Sequence, residues 1–319
     1  MKVISRVIVS SLALTLFACE GRADSFTLSL PSATLPAIPA TPATILFDVP
    51  GPLPAVGVPG PALGLVPGDV IDAISDGLDP VFAPHIDYFS VTPASLGAPA
   101  SGVALEFAFD TLPGVSPGHA ADIFIAGGPV PPGTNILAPP GFGWTLGTTT
   151  GDEANTGLIN PVDNVNSYDL SLTLPPGPIF FSLAAGSPSL IPGGFTPADI
   201  FVSAGAGGFG LFLPGAALGL PPLADIDALA LDAPPGPLGI EYSLTAATAG
   251  PLGFSGADIL GVAFAPGPMP IVVHPAGAIG LLPMDDLDAL DLGLIPEPAS
   301  ISLFVVAFAS LSMLRRRRG

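Results

Sequence analysis

The chain has 319 residues, and 82 of them are Pro (42) or Gly (40), the two strongest breakers of regular structure. Yet 49% are hydrophobic and the mean hydropathy is +0.68, which excludes wholesale disorder, because disordered chains lack the apolar surface that offsets chain entropy. Between Asp24 and Pro298 there are 25 acids and no Lys or Arg, so a phosphate backbone finds no cation and nucleic acid is excluded as a partner.

The N-terminal segment, 1–23, has the pattern of a secretory signal peptide. Lys2 and Arg6 form a basic region, Val7–Ala18 an apolar run, and Gly21-Arg22-Ala23 a small-x-small cleavage site before Asp24. The apolar run is too short to span a bilayer. Leu16-Phe17-Ala18-Cys19 has some likeness to a lipobox, with Phe17 fitting poorly. Cleavage after Ala23 leaves a chain without cysteine, so the body must be held by its core and not by disulfides.

The body, 24–293, is a degenerate tandem repeat. Gly64–Ile74, Gly219–Leu229 and Gly280–Leu290 superpose without a gap, and Gly157–Ser167 joins them after one inserted residue. Asn166 to Asp227, Asp227 to Asp288 and Ser182 to Ser243 are each 61 residues apart, whereas Asp72 to Asn166 is 94. Four units follow, at 24–78, 79–172, 173–232 and 233–293, the second with an insertion of some 32 residues. Ile179–Leu183 and Ile240–Leu244 are echoed by Tyr88–Val91 and by Thr27–Leu30.

Inside a unit, the apolar runs are short and bounded by Pro or Gly, as in Ile240–Thr245, Asp258–Phe264 and Met269–His274. They predict strands, three or four to a unit, with Leu223–Leu231 either a helical turn or a further strand. Such units cannot bury both faces alone and must stack. The expected fold class is therefore all-β, tandem repeats of about 60 residues in a propeller-like arrangement, with a β-sandwich as the alternative.

The last segment, 294–319, follows a second pattern. Pro296-Glu297-Pro298 precedes the apolar stretch 299–314, and Arg315, Arg316, Arg317 and Arg318 close the chain. The 16-residue stretch predicts a short membrane helix of about 24 Å, with the arginines holding its end in the cytoplasm. These residues resemble a PEP-CTERM sorting signal. The resemblance implies export through the inner membrane of a Gram-negative bacterium, transient anchoring there, and processing by an exosortase-type enzyme. Delivery to the cell surface or the extracellular matrix would follow, with matrix polysaccharide a possible partner.

Chemistry is sparsely signalled. His85, His119 and His274 have no zinc-site spacing, and no Gly-x-Ser-x-Gly elbow is present. Glu106, Glu153 and Glu241 are candidates for a glycosidase pair, but nothing in sequence brings two of them together. Phe142 and Trp144 suggest a sugar-stacking platform or plain packing. No catalytic or cofactor-binding residue is assigned. The recurring acids Asp69 and Asp72, Asp225 and Asp227, and Asp285, Asp286 and Asp288 offer oxygen ligands for calcium, with Asp163, Asn164 and Asn166 at the same place in the second unit. The alternative is that they cap turns by accepting backbone N–H groups. The expected function is a non-enzymatic structural or adhesive role at the cell surface, against a secreted carbohydrate-binding or carbohydrate-active protein. Convergence of His119, Glu106, Glu153 and Trp144 on one pocket would favour the second.

Overall fold

A computed structural model describes residues 24–49, 51–75, 86–112, 118–127, 130–137, 163–170, 178–203, 209–231, 239–263 and 267–291. All of them belong to one compact unit, Asp24–Leu292. Its strands, in chain order, are β1 (Ser25–Leu28), β2 (Ile45–Phe47), β3 (Ala55–Val58), β4 (Ile71–Ser75), β5 (Ile86–Val91), β6 (Phe124–Gly127), β7 (Ile136–Leu137), β8 (Val165–Leu170), β9 (Ile179–Leu183), β10 (Ile200–Ser203), β11 (Phe209–Leu213), β12 (Ile226–Leu231), β13 (Ile240–Leu244), β14 (Ile259–Ala263), β15 (Met269–His274) and β16 (Leu287–Asp291). Within the run Leu223–Leu231, Ile226–Leu231 is strand and Leu223 belongs to the turn before it.

The strands form four antiparallel sheets, β16-β1-β2-β3, β4-β5-β6-β7, β8-β9-β10-β11 and β12-β13-β14-β15, arranged as the four blades of a propeller. The inner strands β16, β4, β8 and β12 surround the axis, each beside the next. A sequence unit is not a blade: it holds the three outer strands of one blade and the inner strand of the next. The phase offset leaves blade 1 without an inner strand until β16 arrives from the far end of the body. Closure therefore depends on a pairing between chain ends, Ser25 with Asp291 and Leu28 with Leu287.

Apolar residues fill the four gaps between blades, one core per gap. Tyr88, Ile125, Tyr168 and Phe181 pack between blades 2 and 3, and Ile200, Leu229, Tyr242 and Leu260 between blades 3 and 4. Phe26, Leu46, Ile259 and Leu290 fill the gap from blade 4 to blade 1, and Ile45, Ile74, Phe89 and Phe124 that from 1 to 2. At about 2 kcal/mol for each fully buried large side chain, these cores are the main drive for stacking.

Two sequence expectations need correcting. The echo of the Ser182 position in unit one is Thr27, not Ser29: Thr27 pairs with Ala289 as Ser182 pairs with Ser167 and Ser243 with Ala228. Chemistry agrees, since Thr27 Oγ1, Ser182 Oγ and Ser243 Oγ donate to the carbonyls of Ile71, Ile226 and Leu287, tying blade 1 to 2, blade 3 to 4 and blade 4 to 1, whereas Ser90 Oγ, at the same place in blade 2, is buried without a partner. A Leu-Ser-Leu triplet, 28–30, lies just beyond Thr27 and mimics the motif out of register. The insertion of the second unit is also split. Ser90 to Asp122 spans 32 residues where Ser182 to Asp199 spans 17, and the remaining excess falls after β7, in 138–162, outside the described residues. The first part carries a helix, α1 (Gly102–Asp110), capped by Ser101 Oγ accepting from the Ala104 N–H at 3.2 Å.

Candidate functional site

The repeated acids fall into two sets only three residues apart in sequence. The first set sits in the turn that leads into the inner strand of blades 1, 2 and 3; in blade 4 the position is Ala224. Asp69 accepts from the N–H groups of Val66 (2.8 Å), Leu96 (2.7 Å) and Gly97 (3.1 Å). Asp163 accepts from the N–H and the hydroxyl of Ser189. Asp285 accepts from the N–H groups of Leu282 (2.8 Å), Ala33 (2.7 Å) and Thr34 (3.1 Å) and from the hydroxyls of Ser32 (2.8 Å) and Thr34 (2.5 Å). Burial alone would raise the Asp285 pKa, but these donors together hold it below the ordinary value. Each such carboxylate joins its turn to the loop after the second strand of the same blade. In blade 1 that loop lies at the other end of the body, which makes Asp285 a latch on the closing strand.

The second set is Asp72, Asn166, Asp227 and Asp288, the second residue of each inner strand. In all four blades the ladder skips this residue, as between Ile71 and Ala73 or between Ile226 and Ala228. A bulge of this kind leaves one residue unpaired and re-aims its side chain. All four are buried, at 5–8% exposure, and the three acids among them repel one another across the axis. Asp225 and Asp286 stand just before them and accept from the N–H groups of Ala185 (3.2 Å) and Ala246 (2.8 Å) of the preceding blade.

The four gaps between blades are not equivalent at the axis. Between blades 3 and 4, Asn166 Nδ2 donates to the Ile226 carbonyl (2.8 Å) and to Asp227 Oδ1 (3.1 Å) and reaches Asp225 Oδ1 at 3.4 Å. Between blades 2 and 3, the Asn164 side chain hydrogen-bonds Asp72. From blade 4 to 1 and from 1 to 2, carboxylate faces carboxylate, Asp227 against Asp288 and Asp286, then Asp288 against Asp72.

The consequences follow from burial without a cation. Burial raises Asp72 to about 7, against some lowering by Asn164. Asp225 rises to about 6 for the same reason, opposed by the Ala185 N–H. Asp227 is pushed well up by burial and then by Asp288, Asp286, Asp72 and Asp225. Asp288 is pushed well up by burial, Asp72 and Asp286, against the Ser29 hydroxyl. Near neutral pH the ring therefore holds both carboxylic acids and carboxylates.

Of the seven carboxylates that the sequence offered as calcium ligands, the structure uses Asp69 and Asp285 as turn caps and brings Asp72, Asp225, Asp227, Asp286 and Asp288 to the axis. Among the described residues, no three His, Cys, Asp or Glu side chains gather closely enough to hold a metal ion as they stand. The sorting residues Ala23, Pro296, Glu297, Pro298, Arg315, Arg316, Arg317 and Arg318 lie outside the described residues, as does the apolar stretch 299–314. No helix among the described residues is long and apolar enough to cross a membrane.

A separate polar cluster occupies blade 2. Asp110 Oδ2, at the end of α1, contacts His119 Nδ1 at 2.5 Å and accepts from the N–H groups of Gly118 (3.0 Å) and His119 (3.2 Å). The Phe107 ring meets the imidazole edge-on at 5.7 Å, and His119 Nε2 is buried without a partner. Glu106 is raised by burial and by Asp110, with His119 opposing, and Asp122 is raised well up by burial, Glu106 and Asp110. So the structure brings His119 and Glu106 into one neighbourhood, while Glu153 and Trp144 lie outside the described residues. The sequence reading missed Asp110, although Glu106 and Asp110 have the i, i+4 spacing of one helix face. Glu241, the remaining candidate of the three glutamates, lies on β13 apart from this cluster, largely buried with Oε2 3.7 Å from His274 Nε2 on the edge strand.

Neither protein-family models, nor curated proteins, nor solved structures match this chain.

Proposed function

We propose that this chain is a non-enzymatic structural or adhesive protein, exported and delivered to the cell surface or extracellular matrix through a PEP-CTERM-like sorting segment. The observation that carries the proposal is the placement of the closing strand. β16 ends at Asp291, before the Pro296-Glu297-Pro298 tripeptide, so cutting there removes the apolar stretch and the arginines without opening the propeller. The charge supports the same reading: every basic residue lies in the two end segments, and the body, 24–293, keeps 24 acids, which favours solubility outside the cell. Exosortase-type processing is tested by replacing Pro296, Glu297 and Pro298 with Ala. The expected result is a longer form retained with the inner membrane, and unchanged size and location would count against it.

A second reading is a carbohydrate-binding or carbohydrate-active protein, and the cluster of Glu106, Asp110, His119 and Asp122 favours it. A glycan array probed with the exported protein decides, with binding lost in Glu106→Gln as the supporting result.

A further inference from the structure

Matching positions in the four gaps between blades differ in how their oxygens are satisfied. Between blades 3 and 4, Asn166 Nδ2 (2.8 Å) and the Ser182 hydroxyl (3.0 Å) both donate to the carbonyl of Ile226, the first residue of the next inner strand. From blade 4 to 1 and from 1 to 2, the Ser243 and Thr27 hydroxyls donate to the matching carbonyls of Leu287 and Ile71. Between blades 2 and 3 the residues at these places are Asp72 and Ser90, and the next inner strand begins at Val165. Here Asp72 Oδ2 and Ser90 Oγ, in residues 5% and 0% exposed, have no hydrogen-bond partner.

A third oxygen is stranded in the same gap, for a reason written in the sequence. Asn164, the residue before Val165, holds the place of Asp225 and Asp286. Those two accept from the N–H groups of Ala185 and Ala246, which stand three residues beyond Ser182 and Ser243. Three residues beyond Ser90 stands Pro93, which has no N–H to give. Asn164 Oδ1 is accordingly buried without a partner, while the same side chain hydrogen-bonds Asp72.

We infer that the gap between blades 2 and 3 is a single cation site, which takes Ca²⁺ through Asp72 Oδ2, Asn164 Oδ1 and Ser90 Oγ. A carboxylate, an amide oxygen and a hydroxyl are the hard oxygen donors that calcium prefers, and waters complete its shell of about six to eight. Asp227 and Asp288 stand near enough to Asp72 to repel it, so their field favours a divalent ion over a monovalent one. No Lys or Arg of the body competes for the place. A lone water would also satisfy three such oxygens, and the experiment has to separate the two.

The full chain, held in non-ionic detergent with NaCl present, is titrated with ⁴⁵CaCl₂ by flow dialysis at pH 7.5. Saturable binding is expected at about 10⁻⁴–10⁻³ M. Ser90→Ala and Asn164→Ala should each weaken it about tenfold, whereas Ser243→Ala, which removes a satisfied hydroxyl from the matching place in blade 4, should leave it unchanged. Pro93→Ala is the sharper variant because it deletes no ligand. Its new N–H takes Asn164 Oδ1, as Ala185 and Ala246 take their carboxylates, and calcium affinity is expected to fall. Circular-dichroism melts show which variants are folded, and Pro93→Ala keeps the test open where a ligand variant is not. Three results overturn the proposal: no saturable binding in the wild-type chain, binding untouched by Ser90→Ala, Asn164→Ala and Pro93→Ala, or an equal loss in Ser243→Ala. The first of these would leave a water or a proton in the gap. The site lies wholly in the body, so its failure leaves the sorting reading as it stands.

Discussion

Asp285 and Asp288 lie three residues apart, yet they sit in opposite electrostatic worlds, and so do Asp69 and Asp72. The turn carboxylates are ringed by N–H and hydroxyl donors, which stabilise the charged form. The axial carboxylates Asp72, Asp227 and Asp288 are aimed inward by bulges and meet each other, with side-chain amides in only two of the four gaps between blades. Both places hold aspartates shielded from solvent, but the axial ones lie deeper. Depth and donor supply together decide whether a buried acid locks the fold or strains it.

The sharpest way to break this comparison is to remove the donor where the axis has one. Asn166→Asp deletes the Nδ2 bonds to the Ile226 carbonyl and Asp227 and adds a further acid to the ring. The expected loss is about 3–4 kcal/mol at pH 8, smaller at pH 5 where a protonated Asp can donate again. Urea unfolding at the two pH values checks it, and equal losses would mean that shape, not charge, is what matters at that position.

Next comes the turn set. Asp285→Ala leaves several donors between Ser32 and Thr34 without their acceptor and is expected to cost about 2–3 kcal/mol. Asp69→Ala removes the equivalent cap inside a continuous blade. Limited proteolysis should therefore cut Asp285→Ala within 24–49 and 280–291 first, and Asp69→Ala around 92–97. The same cleavage pattern in both would show that Asp285 is a local cap and no latch.

Asp72 and Asp285 also titrate in opposite directions. Asp72 binds its proton up to about 7 in the folded chain, against an ordinary carboxyl value of 3.8, so the native state holds more protons in that window and stability falls as pH rises through it. Asp285 is lowered from the same ordinary value, so its contribution is present above 3.8 and is lost as the pH drops towards its folded value. Together they place the highest thermal midpoint near about pH 4–5, with a decline towards pH 8. Asp227→Asn supplies a donor between blades 4 and 1 and is expected to add about 1–2 kcal/mol at pH 8 while flattening that decline. A midpoint that rises between pH 5 and 8 would refute the picture of an axis short of donors.

Much of this was legible before the structure. The 61-residue phase carried the number of units, and the Pro- and Gly-bounded runs carried the strands, because a blade repeats both its turns and its apolar faces. Blade phase was not legible: a circular repeat has no natural start, and only the pairing of Ser25 with Asp291 fixes which strand is shared. Function of the repeated acids was half legible. Their recurrence marked them, but the split between Asp69 and Asp72 depends on a bulge, which local composition does not encode. The blade 2 cluster escaped because α1 interrupts the repeat and has no counterpart of its length among the described residues.

The smallest expected effect concerns cations. Five axial carboxylates without a counter-charge should attract a divalent ion more than a monovalent one, as acid-rich oxygen sites do at about 10⁻⁴–10⁻³ M for extracellular calcium. The side chains do not yet form a cage, so some of the binding free energy would go into drawing them together, and one site at ten times its dissociation constant would add about 1.4 kcal/mol. That is a few degrees in midpoint for a body of this size. Melts at pH 7.5 with chelator, with millimolar CaCl₂ and with NaCl at equal ionic strength separate binding from screening. A calcium excess that vanishes in Asp72→Asn and Asp288→Asn but survives Asp69→Ala would assign the ion to the axis. Equal midpoints in CaCl₂ and NaCl would leave protons as the only ligands of the ring, and the pH profile of the wild-type chain would then account for its behaviour without a metal.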